Sequence, residues 1–311
     1  MSAPVAAPES TQAPGPSGPP GAPGRPGDEP PLRGVSWLVG PFVLAAFVIG
    51  QLVVEIALYA LLRLDGVKVR DAFDVPAVPG ALRLLAGQLV GGALALAAVR
   101  FTTRAEDPRP IASWIGPLRP SWLGLALLVA PCASILAADA EALLLHLLPR
   151  SAKELALYKF VFFPDAEVAR VLTMVATIVM APLIEEMVFR GALRGGLARR
   201  YGVAAGAVLT ALLFAVAHMS LRAGGILFLL GLGNAILARR SGGLALPMAT
   251  HALYNATFYL LPERAVLAPA PTLGGGPALP WLVLAGAAVG MVLGCVGLGR
   301  VLQRSNSPAM P

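Results

Sequence analysis

The stretch MAPLIEEMVFRGAL, residues 180–193, sets two adjacent glutamates inside an apolar run that extends over 171–192. An ionisable group at membrane depth is costly, so Glu185 and Glu186 are expected to face a bundle interior or a water-filled cavity rather than lipid. Two further apolar runs each carry a histidine. His218 lies in LLFAVAHM (212–219), and His251 lies in MATHALYNATF (248–258) with Asn255 one turn later. Two carboxylates, Arg190, two histidines and an asparagine, all set in hydrophobic helices, read as a catalytic centre built within a membrane.

Composition agrees with that class. The chain has 311 residues, 57% of them hydrophobic and only 13% charged, with a mean hydropathy of +0.73. Ordinary soluble domains carry about 25% charged residues, so this is expected to be an all-α, multi-pass membrane bundle. The net charge of +7 calls for no nucleic-acid partner, because most basic residues sit at the ends of apolar runs as anchors and topology signals. Cys132 and Cys295 lie within apolar segments and no Cys/His pair has zinc-ligand spacing. Neither a disulfide framework nor a structural metal site is therefore expected.

Residues 1–34 hold ten of the 29 prolines and no apolar period. Such a segment cannot bury enough surface to offset its ordering entropy and is read as a disordered tail. It lacks the short apolar core of a secretory signal. Spans of about 20 apolar residues are expected near 36–62, 80–101, 121–148, 168–199, 203–219, 222–238, 244–262 and 279–302. They divide the chain into the tail (1–34), N-terminal helices (35–165), a catalytic core (166–265) and a final span with a short tail (266–311). The fourth span exceeds one simple crossing and is expected to kink at Pro182, which leaves the carbonyl of Ile178 without its helical donor. The four tryptophans fall near proposed helix starts, as an interfacial belt places them, and the segment 114–120 is read as lying on the membrane surface. Arg194, Arg199, Arg200, Arg239 and Arg240 outnumber Arg222 and Arg264 across the membrane. That bias puts both termini in the cytoplasm, in the cell (inner or plasma) membrane.

Depth follows from spacing. Glu185 and His218 are equally distant in sequence from the turn near 201–203, so an antiparallel hairpin brings them to one level, about 25 Å from the turn at 1.5 Å per residue. His251 and Asn255 share one helix face at i,i+4, as do Glu186 and Arg190. The guanidinium can satisfy Glu186, whereas Glu185 has Phe189 at that offset and no intrahelical cation. The two glutamates are thereby expected to play different parts.

EExxxR at Glu185–Arg190, FxxxH at Phe214–His218 and HxxxN at His251–Asn255, in that order on apolar helices, resemble the CAAX-protease and bacteriocin-processing family of intramembrane glutamic endopeptidases. The resemblance covers about 168–262. It implies that Glu185 is the general base that activates water and that His218 helps hold that water. It further implies that His251 and Asn255 donate to the oxyanion, while Glu186 and Arg190 orient and balance the site, with no covalent nucleophile and no cofactor. The implied partners are the lipid bilayer and a membrane-associated or lipidated protein or peptide substrate.

Other readings of the same residues are a zinc peptidase, a non-catalytic membrane scaffold or immunity protein, and a proton-coupled transporter. Two His and a Glu can hold zinc, but HExxH is absent and the three groups come from three helices. No internal repeat supports a transporter. His146, Asp139, Glu141, Glu55 and Asn234 are further polar groups in apolar helices that no motif absorbs.

Overall fold

A computed structural model describes residues 36–67, 75–103, 111–267 and 279–306. The tail expected over 1–34, part of the loop near 63–79 and the last five residues lie outside them. The described residues form α1 (Gly40–Leu64), α2 (Ala77–Thr103), α3 (Pro120–Leu144), α4 (Ala152–Phe162), α5 (Glu167–Tyr201), α6 (Val203–Ala217), α7 (Leu221–Ser241), α8 (Ala245–Phe258), α9 (Glu263–Leu267) and α10 (Trp281–Asn306), with no strand among them. The protein is a multi-pass helical membrane protein. Six helices (α1, α2, α3, α5, α7 and α10) are long and apolar enough to cross a bilayer.

The expected spans over 203–219 and 244–262 appear as helices of 15 and 14 residues, α6 and α8. Neither reaches the roughly 20 residues that a bilayer requires. Both pack against α5. At 35 residues α5 is the central element, and half of its most apolar window is buried against 17% for α1. Its Val188 and Phe189 meet Val43 and Phe47 of α1, Val99 of α2, Phe214 of α6 and Met248 of α8 in one buried cluster.

Small residues let the helices approach closely, which is how helices associate where no hydrophobic force separates protein from lipid. A Cβ on Gly50 of α1 would come within 2.5 Å of the Gly91 Cα on α2. Likewise Gly290 and Gly294 of α10 lie against Cys132 and Val129 of α3. The turns fall where the sequence puts them. Gly202 (φ +89°) joins α5 to α6 and Gly242 (φ +71°) follows α7, both in backbone that favours glycine.

One expectation is overturned. Trp114 and Trp122 are only 4% and 2% exposed, so they do not belong to an interfacial belt, although Trp37 and Trp281 (39% and 71%) are placed as one would be. The segment that follows Trp114 is exposed over residues 116–120 and is tied at its start to α8. The carbonyls of Trp114 and Ile115 accept from the backbone N–H groups of Leu244 and Ala245 at 3.0 and 2.7 Å. The first turn of a helix has no internal acceptor for its N–H groups, and here the loop supplies one to α8.

A second polar cluster lies away from the glutamates. The carboxylate of Glu141 accepts from Arg150 at 2.8 Å and from the Tyr158 hydroxyl at 2.9 Å, and Arg222 lies 3.6 Å away. Arg222 also donates to both oxygens of Glu154 on α4; these hydrogen bonds hold the Glu154 carboxyl below its ordinary range. Arg150 reaches on to the Val266 and Leu267 carbonyls of α9. Glu141, which no motif absorbs, is thus the hub that ties α3, α4, α7 and α9.

Candidate active site

Glu186 is fully buried, and three different helices aim donors at one of its oxygens. Onto Oε1 converge Arg190 Nη1 at 3.0 Å, Asn234 Nδ2 at 2.9 Å and His251 Nδ1 at 3.0 Å. A carboxylate ion-paired with Arg190 only accepts, so we assign the proton to the His251 nitrogen that faces it. The second guanidinium nitrogen, Arg190 Nη2, donates to the Gly231 carbonyl at 3.1 Å, and the guanidinium carbon stands 4.4 Å from the Phe214 ring centroid. Gly231 and Asn234 are i,i+3 on one face of α7. That face therefore gives the glutamate–arginine pair one acceptor and one donor. A Cβ on Gly231 would stand 3.2 Å from Arg190 Nη2, which is why a residue without a side chain suits the spot.

Glu185 stands differently. It is buried, with a side chain 11% exposed, and His251 Nε2 stands 4.0 Å from its Oε2. That separation is beyond a direct hydrogen bond. His251 thus spans the pair: its Nδ1 is committed to Glu186 and its Nε2 faces Glu185. The division between the two glutamates expected from the Glu186–Arg190 spacing is present in space.

His218 ends α6. Its Nδ1 lies 2.8 Å from the Phe214 carbonyl and its ring packs on the Phe214 ring at 4.7 Å, while the side chain remains exposed. His251 packs edge-on to the same phenyl ring at 5.8 Å, so Phe214 of the FxxxH pattern is the spacer between the two imidazoles. No hydrogen bond joins His218 to Glu185 among the described residues. Asn255 turns toward α5 with His251, but it meets a different atom: its Nδ2 donates to the Thr177 carbonyl at 2.8 Å.

The local backbone of α5 explains that last contact. Residues Val175–Met180 and Met187–Leu193 are wound in the wide i→i+5 register, and the Ala181 N–H bonds to the Ala176 carbonyl. The next donor in that register would be the nitrogen of Pro182, which has no hydrogen. The donor missing at Pro182 is therefore missing opposite Thr177, not Ile178 as an i→i+4 register requires. Wide turns of this kind occur mostly at functional sites, and here they bracket Glu185 and Glu186 on both sides.

Asn234 was legible only as an unexplained amide in an apolar helix, and Thr177 gave no signal at all. We expect Asn234→Ala to destabilise the folded protein by about 1–2 kcal/mol. This is the upper part of the range for hydrogen bonds between membrane helices, because the acceptor is charged. A thermal melt in detergent micelles measures it. An unchanged melting temperature would mean that the amide contributes nothing to holding Glu186.

Comparison with known proteins now has a site to refer to. Residues 167–257 match the family model of type II CAAX prenyl endopeptidases, Rce1-like. The match spans α5 to α8 and contains all seven motif residues. An uncharacterized 24.3 kDa protein of Escherichia coli is 40% identical over 86 residues, which are 26% of this chain and 40% of that relative. The chain thus spans less than half the length of the curated relative it matches. No solved structure matches it. The Rce1-like match coincides with the stretch where carboxylates, imidazoles and amides converge, whereas α1 to α4 and α10 lie outside it.

Proposed function

We propose that this chain is an intramembrane endopeptidase that cleaves a peptide bond by glutamate-activated water, near the terminus of a membrane-associated or lipidated substrate. One observation carries the reading: His251 is fixed by Glu186 through Nδ1 and presents Nε2 to Glu185 4.0 Å away. Glu185 is then the carboxylate left available to take a proton from water, held close by a buried imidazole but not neutralised by it. The family match supports a membrane protease.

The assigned parts follow the atoms. Glu185 is the general base, and the exposed His218 at the end of α6 helps position the water. His251 Nε2, when protonated, and the remaining N–H of Asn255 donate to the oxyanion of the tetrahedral intermediate. Donors preorganised where charge develops are worth about 2.7–4 kcal/mol each in the transition state. Glu186 and Arg190 hold His251 in place. Both termini face the cytoplasm in this reading, in keeping with the arginines that end α5 and α7.

Chemistry without a metal is part of the proposal. His251 Nδ1 and His218 Nδ1 are engaged, and among the described residues no three His, Cys, Asp or Glu groups come together as ligands. Incubation with EDTA or phenanthroline is expected to leave cleavage unchanged; loss of cleavage that added zinc restores would overturn this.

The test is a comparison of peptide termini in membrane and released proteins from cells that carry the wild-type chain or Glu185→Gln at matched expression. Termini that vanish with the variant establish a protease and name its substrates together. If no terminus changes while the variant still rescues a deletion phenotype, the glutamates are structural and the chain is a membrane scaffold.

A further inference from the structure

We propose that Thr177, Pro182 and Tyr259 form a positioning device for Asn255, in which a carbonyl deprived of its helical donor sets the orientation of the side-chain amide. The proposal rests on the reading of Asn255 as an oxyanion donor, and the amide geometry it predicts can be observed without any substrate.

The argument begins with the backbone. In the i→i+5 register the Ala181 N–H is taken by Ala176, so the Thr177 carbonyl falls to Pro182, which has nothing to donate. A carbonyl left unpaired where water does not reach costs several kcal/mol. Asn255 Nδ2 fills the vacancy at 2.8 Å. A carbonyl only accepts, so the amide must present its nitrogen there and not its oxygen, which removes the twofold ambiguity of an asparagine side chain. One N–H is consumed. The second N–H and Oδ1 then have fixed directions, and the site gains a donor whose orientation is set before substrate arrives.

The carbonyl is itself braced. Tyr259 is i,i+4 from Asn255, and its hydroxyl lies 2.8 Å from Thr177 Oγ1. The last turn of α8 therefore grips one residue of α5 twice, by its carbonyl through Asn255 and by its hydroxyl through Tyr259. Each hydroxyl has one hydrogen, so Thr177 Oγ1 donating to Tyr259 leaves the Tyr259 hydrogen for α4, and the Thr173 carbonyl, 2.8 Å from Thr177 Oγ1, is the alternative acceptor. The Tyr259 hydroxyl reaches the Val161 carbonyl of α4 at 3.1 Å, and its ring packs on Phe162 at 5.3 Å. Position is thus passed from α4 through Tyr259 and Thr177 to Asn255. None of these three groups is required to touch the reacting atoms.

Pro182→Ala returns an N–H to the backbone and lets the Thr177 carbonyl be satisfied within α5. The chain has three asparagines, Asn234, Asn255 and Asn306, so protein labelled with ¹⁵N-asparagine gives three side-chain amide pairs, and Asn255→Ala identifies the pair of interest. In the wild-type protein in detergent micelles, one N–H of that pair is expected to exchange with water at least about tenfold more slowly than the other, because it is held in the hydrogen bond to the Thr177 carbonyl. Pro182→Ala is expected to abolish the difference. In cells, the rate at which Glu185-dependent termini appear is expected to fall about tenfold in Pro182→Ala, and Asn255→Ala is expected to add no loss beyond its own when combined with it.

The outcomes separate. An Asn255 amide unchanged by Pro182→Ala, or losses that multiply in the double variant, would overturn the positioning role. An Asn255→Ala variant that processes at the wild-type rate would instead overturn the reading of Asn255 as a donor. If Pro182→Ala does not fold, Tyr259→Phe keeps the proline and removes only the hydroxyl. It is expected to shift the same amide pair and to slow processing about threefold, as loss of one hydrogen bond would. An unmoved signal and rate in that variant would sink the proposal.

Discussion

Replacing Glu185 by Gln is expected to slow peptide cleavage by about 10²–10⁴-fold while leaving the folded protein as stable as the wild type. The amide has the shape of the carboxylate but cannot accept a proton from water, so the loss is that of a general base. The stability half of the prediction comes from the geometry. Glu185 has no ion pair along α5, His251 Nε2 stands 4.0 Å from its carboxylate, and a neutral amide removes a charge that is costly at membrane depth. Rates on the substrates identified from their termini, together with thermal melts in micelles, give both numbers. Turnover within about twofold of the wild type would dismiss Glu185 as the base. A large fall in melting temperature would mark it as structural.

Arg190 is expected to behave in the opposite way. Arg190→Met should destabilise the protein by about 3–5 kcal/mol, because it strands the Glu186 carboxylate in a fully buried position. Asn234 and His251 would remain on Oε1, but neither supplies a permanent opposite charge. Adding Glu186→Gln to Arg190→Met should recover most of that loss, since replacing both members of a buried pair is often close to neutral. The double variant should nevertheless cleave poorly, because His251 loses the carboxylate that fixes Nδ1. Thermal melts of the two single variants and the double variant decide it. Losses that simply add would show that the pair is not an electrostatic unit.

These two glutamates, one residue apart, show how the site divides between sequence and structure. The i,i+4 offset of Glu186 and Arg190 is a property of any helix, so their pairing was legible from the letters alone. So was the absence of a cation beside Glu185, and so were the turns at Gly202 and Gly242, which need a residue that tolerates positive φ. The apolar runs fixed the class, because only helices satisfy their own backbone within lipid.

Contacts across helices were another matter. Nothing in the spacing of α7 says that Asn234 faces Glu186, because facing depends on how far each helix is rotated about its axis when packed. The burial of Trp114 and Trp122 was hidden for the same reason. A tryptophan near a helix start is equally suited to lipid headgroups and to a neighbouring loop, and only the docking of that loop onto α8 chose between them.

The sequence by itself determined that this is a helical membrane protein whose apolar helices carry two unlike glutamates, two imidazoles and two amides. It also showed that Pro182 would cost α5 a backbone hydrogen bond. Which carbonyl would lack its donor, and which group would replace it, was decided only in three dimensions. A proline removes a hydrogen wherever it sits, but the register of the turn before it and the helix packed opposite determine that Thr177 is left open and that Asn255 closes it.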